Sequence, residues 1–220
     1  MSRIIIFLLS FLYMSCSSLE KKSKTNENTN RKEVHPYKVL INDFEKNKLH
    51  KIYPNLETSK AYHRLLKDIL DRKIEISDLK TKMGKTLFQN TLKKELQCST
   101  DSVWIDENLS IVHLKEKCWD YSTQNYKYKN SDFGYFKPGM DKDSIVKSFK
   151  NKISFNYYSN YINELKSHDP KSDFLNDYIY LKEAAGDIAF YIIAENMIKA
   201  NVSFNQQIIK RIFITEIVYN

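Results

Sequence analysis

At 220 residues the chain is long enough for one domain with a sizeable core. Its Gly 4 and Pro 4 lie far below average usage, which excludes collagen-like and Gly/Pro-rich chains and argues against a many-stranded sandwich, whose frequent turns need those residues. The net charge of +8 is carried mainly by lysine; with only five arginines, bidentate phosphate recognition is poorly supplied and no nucleic-acid partner is expected.

The chain opens Met1-Ser2-Arg3, followed by an apolar run from Ile4 to Met14 with Ser10 as its one polar interruption. A cation before a short apolar stretch is the pattern of a secretory signal. As a helix the run reaches about 16 Å against roughly 30 Å of hydrocarbon, too short to span a membrane. It ends in Tyr13-Met14-Ser15-Cys16-Ser17-Ser18, which resembles the lipobox of bacterial lipoproteins. The resemblance implies that residues 1–15 are a signal peptide, that Cys16 is lipidated and that the lipid holds the chain to a membrane. Ordinary cleavage near Ser15 to Ser18, and an uncleaved anchor or no export, are the other readings of the same residues. Residues 17–33 hold one large apolar side chain, Leu19, too little to offset the entropy of ordering, so 16–33 reads as anchor plus disordered tether with a reach of roughly 20–25 Å. No acidic run follows Cys16, and the expected location is the bacterial cell envelope, facing the periplasm.

Residues 34–220 read as a single, mainly α domain of about five to six helices. Leu40, Ile41, Phe44, Leu49 and Ile52 recur at helical spacing before Pro54. Thr58 or Ser59 can cap a helix with the stripe Tyr62, Leu65, Leu66, Ile69 and Leu70, and Ser77 one that runs to Leu96. Residues 99–140 are irregular: Val103-Trp104-Ile105 and Leu109 to Leu114 fit either a short hairpin or broken helical turns, with turns at Phe133-Gly134 and Pro138-Gly139. Asp141 or Asp143 can cap a long helix through Val146, Phe149, Ile153, Tyr157, Tyr161 and Leu165. Asp169-Pro170 then opens another, carrying Phe174 to Ile192, with Ala184-Ala185-Gly186 allowing a close neighbour and the all-apolar Ile188 to Ile193 marking it as the central helix. The last segment, Phe204 to Ile217, reads as a helix, although Ile212-Phe213-Ile214 also suits a strand.

With Cys16 assigned to the lipid, Cys98 and Cys118 remain as one pair, which suits a disulfide in an oxidising compartment; two buried free thiols are the alternative. No Cys/His spacing fits zinc and no cofactor is expected. Gly84-Lys85-Thr86 matches the tail of a phosphate-binding loop, but Leu79 stands where that loop needs its first glycine. Asp141-Lys142-Asp143 lacks the glycine a calcium loop needs, Val146 being in its place. The five histidines include no HExxH pair, and no serine elbow is present. Asp101, Asp106, Glu107 and Asp120 are the carboxylates from which a hydrolytic acid/base pair could be drawn.

The stretch singled out for binding runs from Trp119 to Lys137. Trp119, Tyr121, Tyr126, Tyr128, Phe133, Tyr135 and Phe136 are interleaved there with Lys127 and Lys129, a composition suited to sugar rings, peptides or anionic polymers. Core covering is the plainer role for the same residues. The expectation is a non-enzymatic lipoprotein that binds or supports another envelope protein or polymer. The alternatives are an immunity protein against a periplasm-delivered toxin and a cell-wall or lipid hydrolase.

Overall fold

The computed structural model describes residues 35–137, 139–168 and 172–220. The signal peptide, Cys16, its tether and the Asp169-Pro170 helix start lie outside the described residues. What is described is mostly helical, 56 %, as the mainly α reading expects, but 18 % lies in a four-stranded antiparallel sheet, which makes it an α/β mix rather than purely α.

Helix α1 covers 36–52, with Pro36 in its first turn where the missing N–H costs nothing, and it widens by a π-turn at Glu45–Leu49. Helix α2 is Thr58–Leu70, its stripe buried from Tyr62 to Ile69 as the spacing requires and Leu70 half-buried; Glu57 stands at its cap position, while the Thr58 hydroxyl meets His50 at 3.2 Å. The run expected from Ser77 to Leu96 is two helices. Lys80 is extended between α3 (Ile76–Leu79) and α4 (82–96), and Thr81 caps α4 by accepting from the Gly84 N–H at 2.8 Å. Asp141 caps α5 (Lys142–Lys150) in the same way, through the Ser144 N–H at 3.1 Å.

The long helix expected beyond α5 does not form. Its stripe is interrupted by β4 (Ile153–Phe155), and only α6 (Tyr161–Lys166) resumes the helical path. Helix α7 (Asp173–Ala185) is capped by Ser172 and stops at Gly186, whose φ is +72° and whose Cα sits so close to the Tyr157 hydroxyl that a Cβ would lie 2.8 Å from it. The close approach read from Ala184-Ala185-Gly186 is therefore real, but it ends the helix. Helix α8 (Phe190–Lys199) starts afresh, and Phe190, Tyr191 and Ile192 are exposed, so the apolar run is not the centre of the fold.

That place belongs to α9 (207–219). From Ile212 to Tyr219 every residue is buried, whereas at its start Gln207 stays exposed. Around it Tyr62 stacks on Phe204 at 4.5 Å and meets Phe213 edge-on at 5.1 Å, and Phe44 closes the cluster against Phe213 at 5.7 Å.

The segment left open between a hairpin and broken turns is a meander of long strands. β1 (Gln97–Asp106), β2 (Ile111–Asp120) and β3 (Asn125–Tyr135) pair antiparallel, and β4 adds to the far edge of β1, giving the order β3-β2-β1-β4. Asp101 bulges out of β1, which puts Cys98 and Val103 on one face despite their odd spacing. A second bulge at Phe133-Gly134, with Gly134 at φ +103°, lies inside β3 where a turn was expected. Helix α5 packs against β1. Val112, Leu114, Cys98, Cys118 and Ile145 are buried but stand outside the helical core, a smaller apolar layer of their own. Cys98 and Cys118 form a disulfide, as expected, joining β1 to β2.

Candidate functional site: the open face of the sheet

β2 alternates strictly between buried and half-exposed residues. Val112, Leu114, Glu116, Cys118 and Asp120 point inward, so Ile111, His113, Lys115, Lys117 and Trp119 share the other face. Directly opposed residues of antiparallel strands lie on the same side. The register therefore adds Trp104 of β1, opposite His113, and Tyr128 and Tyr126 of β3, opposite Lys117 and Trp119.

Side chains on this face pair an aromatic ring with a cation or an imidazole. Lys117 Nζ lies 4.2 Å from the Tyr126 ring centroid and Lys115 Nζ lies 4.7 Å from that of Tyr128. At one end Lys94 of α4 covers Trp119 at 4.4 Å, and Trp119 meets Tyr126 edge-on at 5.1 Å. At the other Trp104 stacks on His113 at 5.3 Å, and the imidazole Nδ1 is 2.7 Å from Asp132 Oδ1. Trp104, Tyr126 and Tyr128 are 43 %, 40 % and 52 % exposed, so large ring surfaces face solvent instead of covering a core.

Two carboxylates hold the ends of the meander. Asp106 accepts the N–H groups of Asn108 and Leu109 at 2.9 and 3.1 Å in the β1–β2 turn. Asp120 braces the β2–β3 turn, accepting from the Ser122 N–H and hydroxyl at 2.9 and 2.7 Å, the Thr123 hydroxyl at 3.1 Å and Lys127 Nζ at 2.5 Å. The Lys127 ammonium and then the Ser122 hydroxyl hold the Asp120 carboxyl well below the usual carboxylate range, against the pull of desolvation.

The structure brings together only some of the residues singled out in the sequence. Trp119, Tyr126 and Tyr128 share the open face. Tyr121 is exposed in the turn beyond β2, Phe136 is half-buried just past β3, and Tyr135 pairs in register with Ile111. Lys127 and Lys129 sit on the opposite face and contact Asp120, Tyr158 and Tyr157, so they are not the cations of this surface. Those are Lys94, Lys115 and Lys117, which the sequence reading missed together with Trp104 and His113. The i, i+2 recurrence of His113, Lys115, Lys117 and Trp119 was the available signal.

The four carboxylates considered for hydrolysis are not gathered. Asp106 and Glu107 stand at one end of β2 and Asp120 at the other, roughly 30 Å apart along the strand. Asp101 lies 3.8 Å from Lys115, and Glu107 pairs with Lys142 of α5 at 2.5 Å. Among the described residues no group of three or more His, Cys, Asp or Glu side chains is placed to hold a metal ion, and no helix is long and apolar enough to cross a membrane. Comparison with family models, curated proteins and solved structures finds no match.

Proposed function

We propose that this chain is an envelope-anchored binding lipoprotein, held to the membrane through Cys16, which engages an acidic envelope protein or polymer through the open face of its sheet. The observation that carries the reading is the pairing, across the open face, of Lys115 and Lys117 on β2 with the exposed rings of Tyr128 and Tyr126 on β3. Ring faces give a partner flat apolar contact, and lysines beside them favour anionic groups. The Cys98–Cys118 disulfide accords with an oxidising compartment.

The test combines location with capture. Cys16→Ala should shift the protein from the membrane to the soluble fraction. In cells carrying the anchored protein, crosslinking should join it to a partner that Trp104→Ala/Tyr126→Ala/Tyr128→Ala loses while the fold persists. A triple variant that retains the same crosslinked partner removes the sheet face from the account.

A further inference from the structure

The open face ends at an unguarded backbone edge. In the order β3-β2-β1-β4 no strand lies beyond β3, and every residue from Asn125 to Asn130 is exposed. Long strand edges are normally blunted by proline, by charges set across them or by a covering element. β3 contains no proline, and its lysines are drawn to the inner face, Lys127 to Asp120 and Tyr158 and Lys129 to Tyr157.

The strand register fixes which backbone groups this edge offers. The Cα atoms of Cys98 and Cys118 are 4.4 Å apart, the spacing of opposed residues that exchange no main-chain hydrogen bond, so Cys118 turns its N–H and C=O toward β3 and bonds Lys127. Pairing is regular from Asn125 to Asp132. Lys129 and Ser131 therefore bond β2 as well, while Tyr126, Tyr128, Asn130 and Asp132 turn their main-chain groups outward. The Tyr126 N–H donates to Asn125 Oδ1 at 2.8 Å. Among the described residues nothing accepts from the N–H of Tyr128, Asn130 or Asp132.

These residues also carry side chains on the open face, because they oppose Lys117, Lys115 and His113. Both lysines lean toward the edge: Lys117, opposite Tyr128, reaches over the Tyr126 ring, and Lys115, opposite Asn130, reaches over that of Tyr128. A strand added about 4.8 Å beyond β3 would set every second side chain on the same side as these ammonium groups.

We propose that the partner is a protein, and that an extended acidic segment of it adds to β3 as a fifth strand, its main chain pairing with Tyr128, Asn130 and Asp132 and its alternate carboxylates meeting Lys115 and Lys117. This rests on the open face being the binding surface and narrows what binds there. Charge alone accepts any acidic polymer, whereas outward N–H and C=O groups in strand register select a polypeptide backbone.

The test titrates into the intact protein an acetylated, amidated peptide of alternating threonine and glutamate, about ten residues long, and follows backbone amides by NMR. At saturation the amides of Tyr128, Asn130 and Asp132 should exchange about tenfold more slowly or less, while those of Lys129 and Ser131 stay unchanged. Asn130→Pro removes an outward N–H without breaking a β2 bond, so it should weaken the peptide about tenfold, and Asn130→Ala should not. If Asn130→Pro does not fold, methylation of the peptide's glutamate N–H groups keeps the test decisive, since it retains every carboxylate and should cost the same factor. A methylated peptide that binds as well as the parent, polygalacturonate that binds as tightly, or unprotected amides at Tyr128, Asn130 and Asp132 overturn strand addition and leave the open face as a charged docking surface. Absence of binding by both the peptide and polygalacturonate overturns the acidic partner as well.

Discussion

Lys182 Nζ lies 2.8 Å from Glu216 Oε2 in the interior, with the two side chains 2 % and 4 % exposed, and so joins α7 to the central helix α9. The other oxygen of Glu216 accepts from Tyr178 at 2.8 Å, and the Tyr178 hydroxyl is 3.2 Å from that of Tyr161. Breaking such a pair from one side strands a charge without water, whereas replacing both partners removes the desolvation cost as well. Lys182→Met or Glu216→Gln alone should each cost about 3–5 kcal/mol. The joint Lys182→Met/Glu216→Leu variant should recover most of the loss in urea unfolding; a double variant as weak as the singles would show that the pair is a net stabiliser.

Gly84, whose Lys85-Thr86 neighbours give it the look of a phosphate loop, is a packing residue. A Cβ there would lie 1.8 Å from the Tyr219 hydroxyl, which itself accepts from the Thr81 N–H at 3.2 Å. Gly84→Ala must push Tyr219 off Thr81, and overpacking of this kind costs roughly 1–3 kcal/mol. A lowered thermal midpoint is the expected result; an unchanged one would mean that the C-terminal turn moves freely.

Asp120 predicts a specific acid response. Its folded carboxyl is held below its ordinary range by Lys127 and Ser122, so the folded chain binds that proton less readily than the unfolded one. The stabilisation is therefore complete above about pH 5, where the unfolded group is ionised, and declines as pH falls below that toward the folded value. In Asp120→Asn the fall in stability between about pH 4 and pH 2 should be shallower than in the parent, and the two slopes should coincide above about pH 5. Identical slopes throughout would remove Asp120 from the turn.

The disulfide closes a loop with a sequence separation of 20, for which chain entropy gives roughly 3 kcal/mol. Cys98→Ala/Cys118→Ala should lower stability by about that amount. Unreduced intact protein should be lighter by two hydrogens than its reduced form, and thiol labelling of both cysteines would show that the bridge is absent.

How much of this was legible in the sequence depends on which face carried the signal. Helices with a one-sided stripe, such as α2, or with a capping side chain, such as α5, were readable; the breaks elsewhere were not, because β4 and Gly186 interrupt runs that keep helical spacing across the gap. The sheet was hidden because its alternation is not one of hydrophobicity. In β2 the buried side carries Glu116 and Asp120 and the open side carries Ile111 and Trp119, so apolar and polar residues occur on both. The bulge at Asp101 shifts the period of β1 as well. The aromatic cluster was visible as composition, but only strand register separates Tyr126 and Tyr128 from Lys127 and Lys129.

The most direct test of the proposed role places a photocrosslinking residue at Tyr128 in cells carrying the anchored protein, and another at Met83 of α4 as a control of matching exposure, 52 % against 51 %. A crosslinked species formed from position 128, absent from position 83 and lost in Lys115→Ala/Lys117→Ala is the predicted result. Equal crosslinking from both positions, or none from 128, would contradict the sheet face as the binding surface.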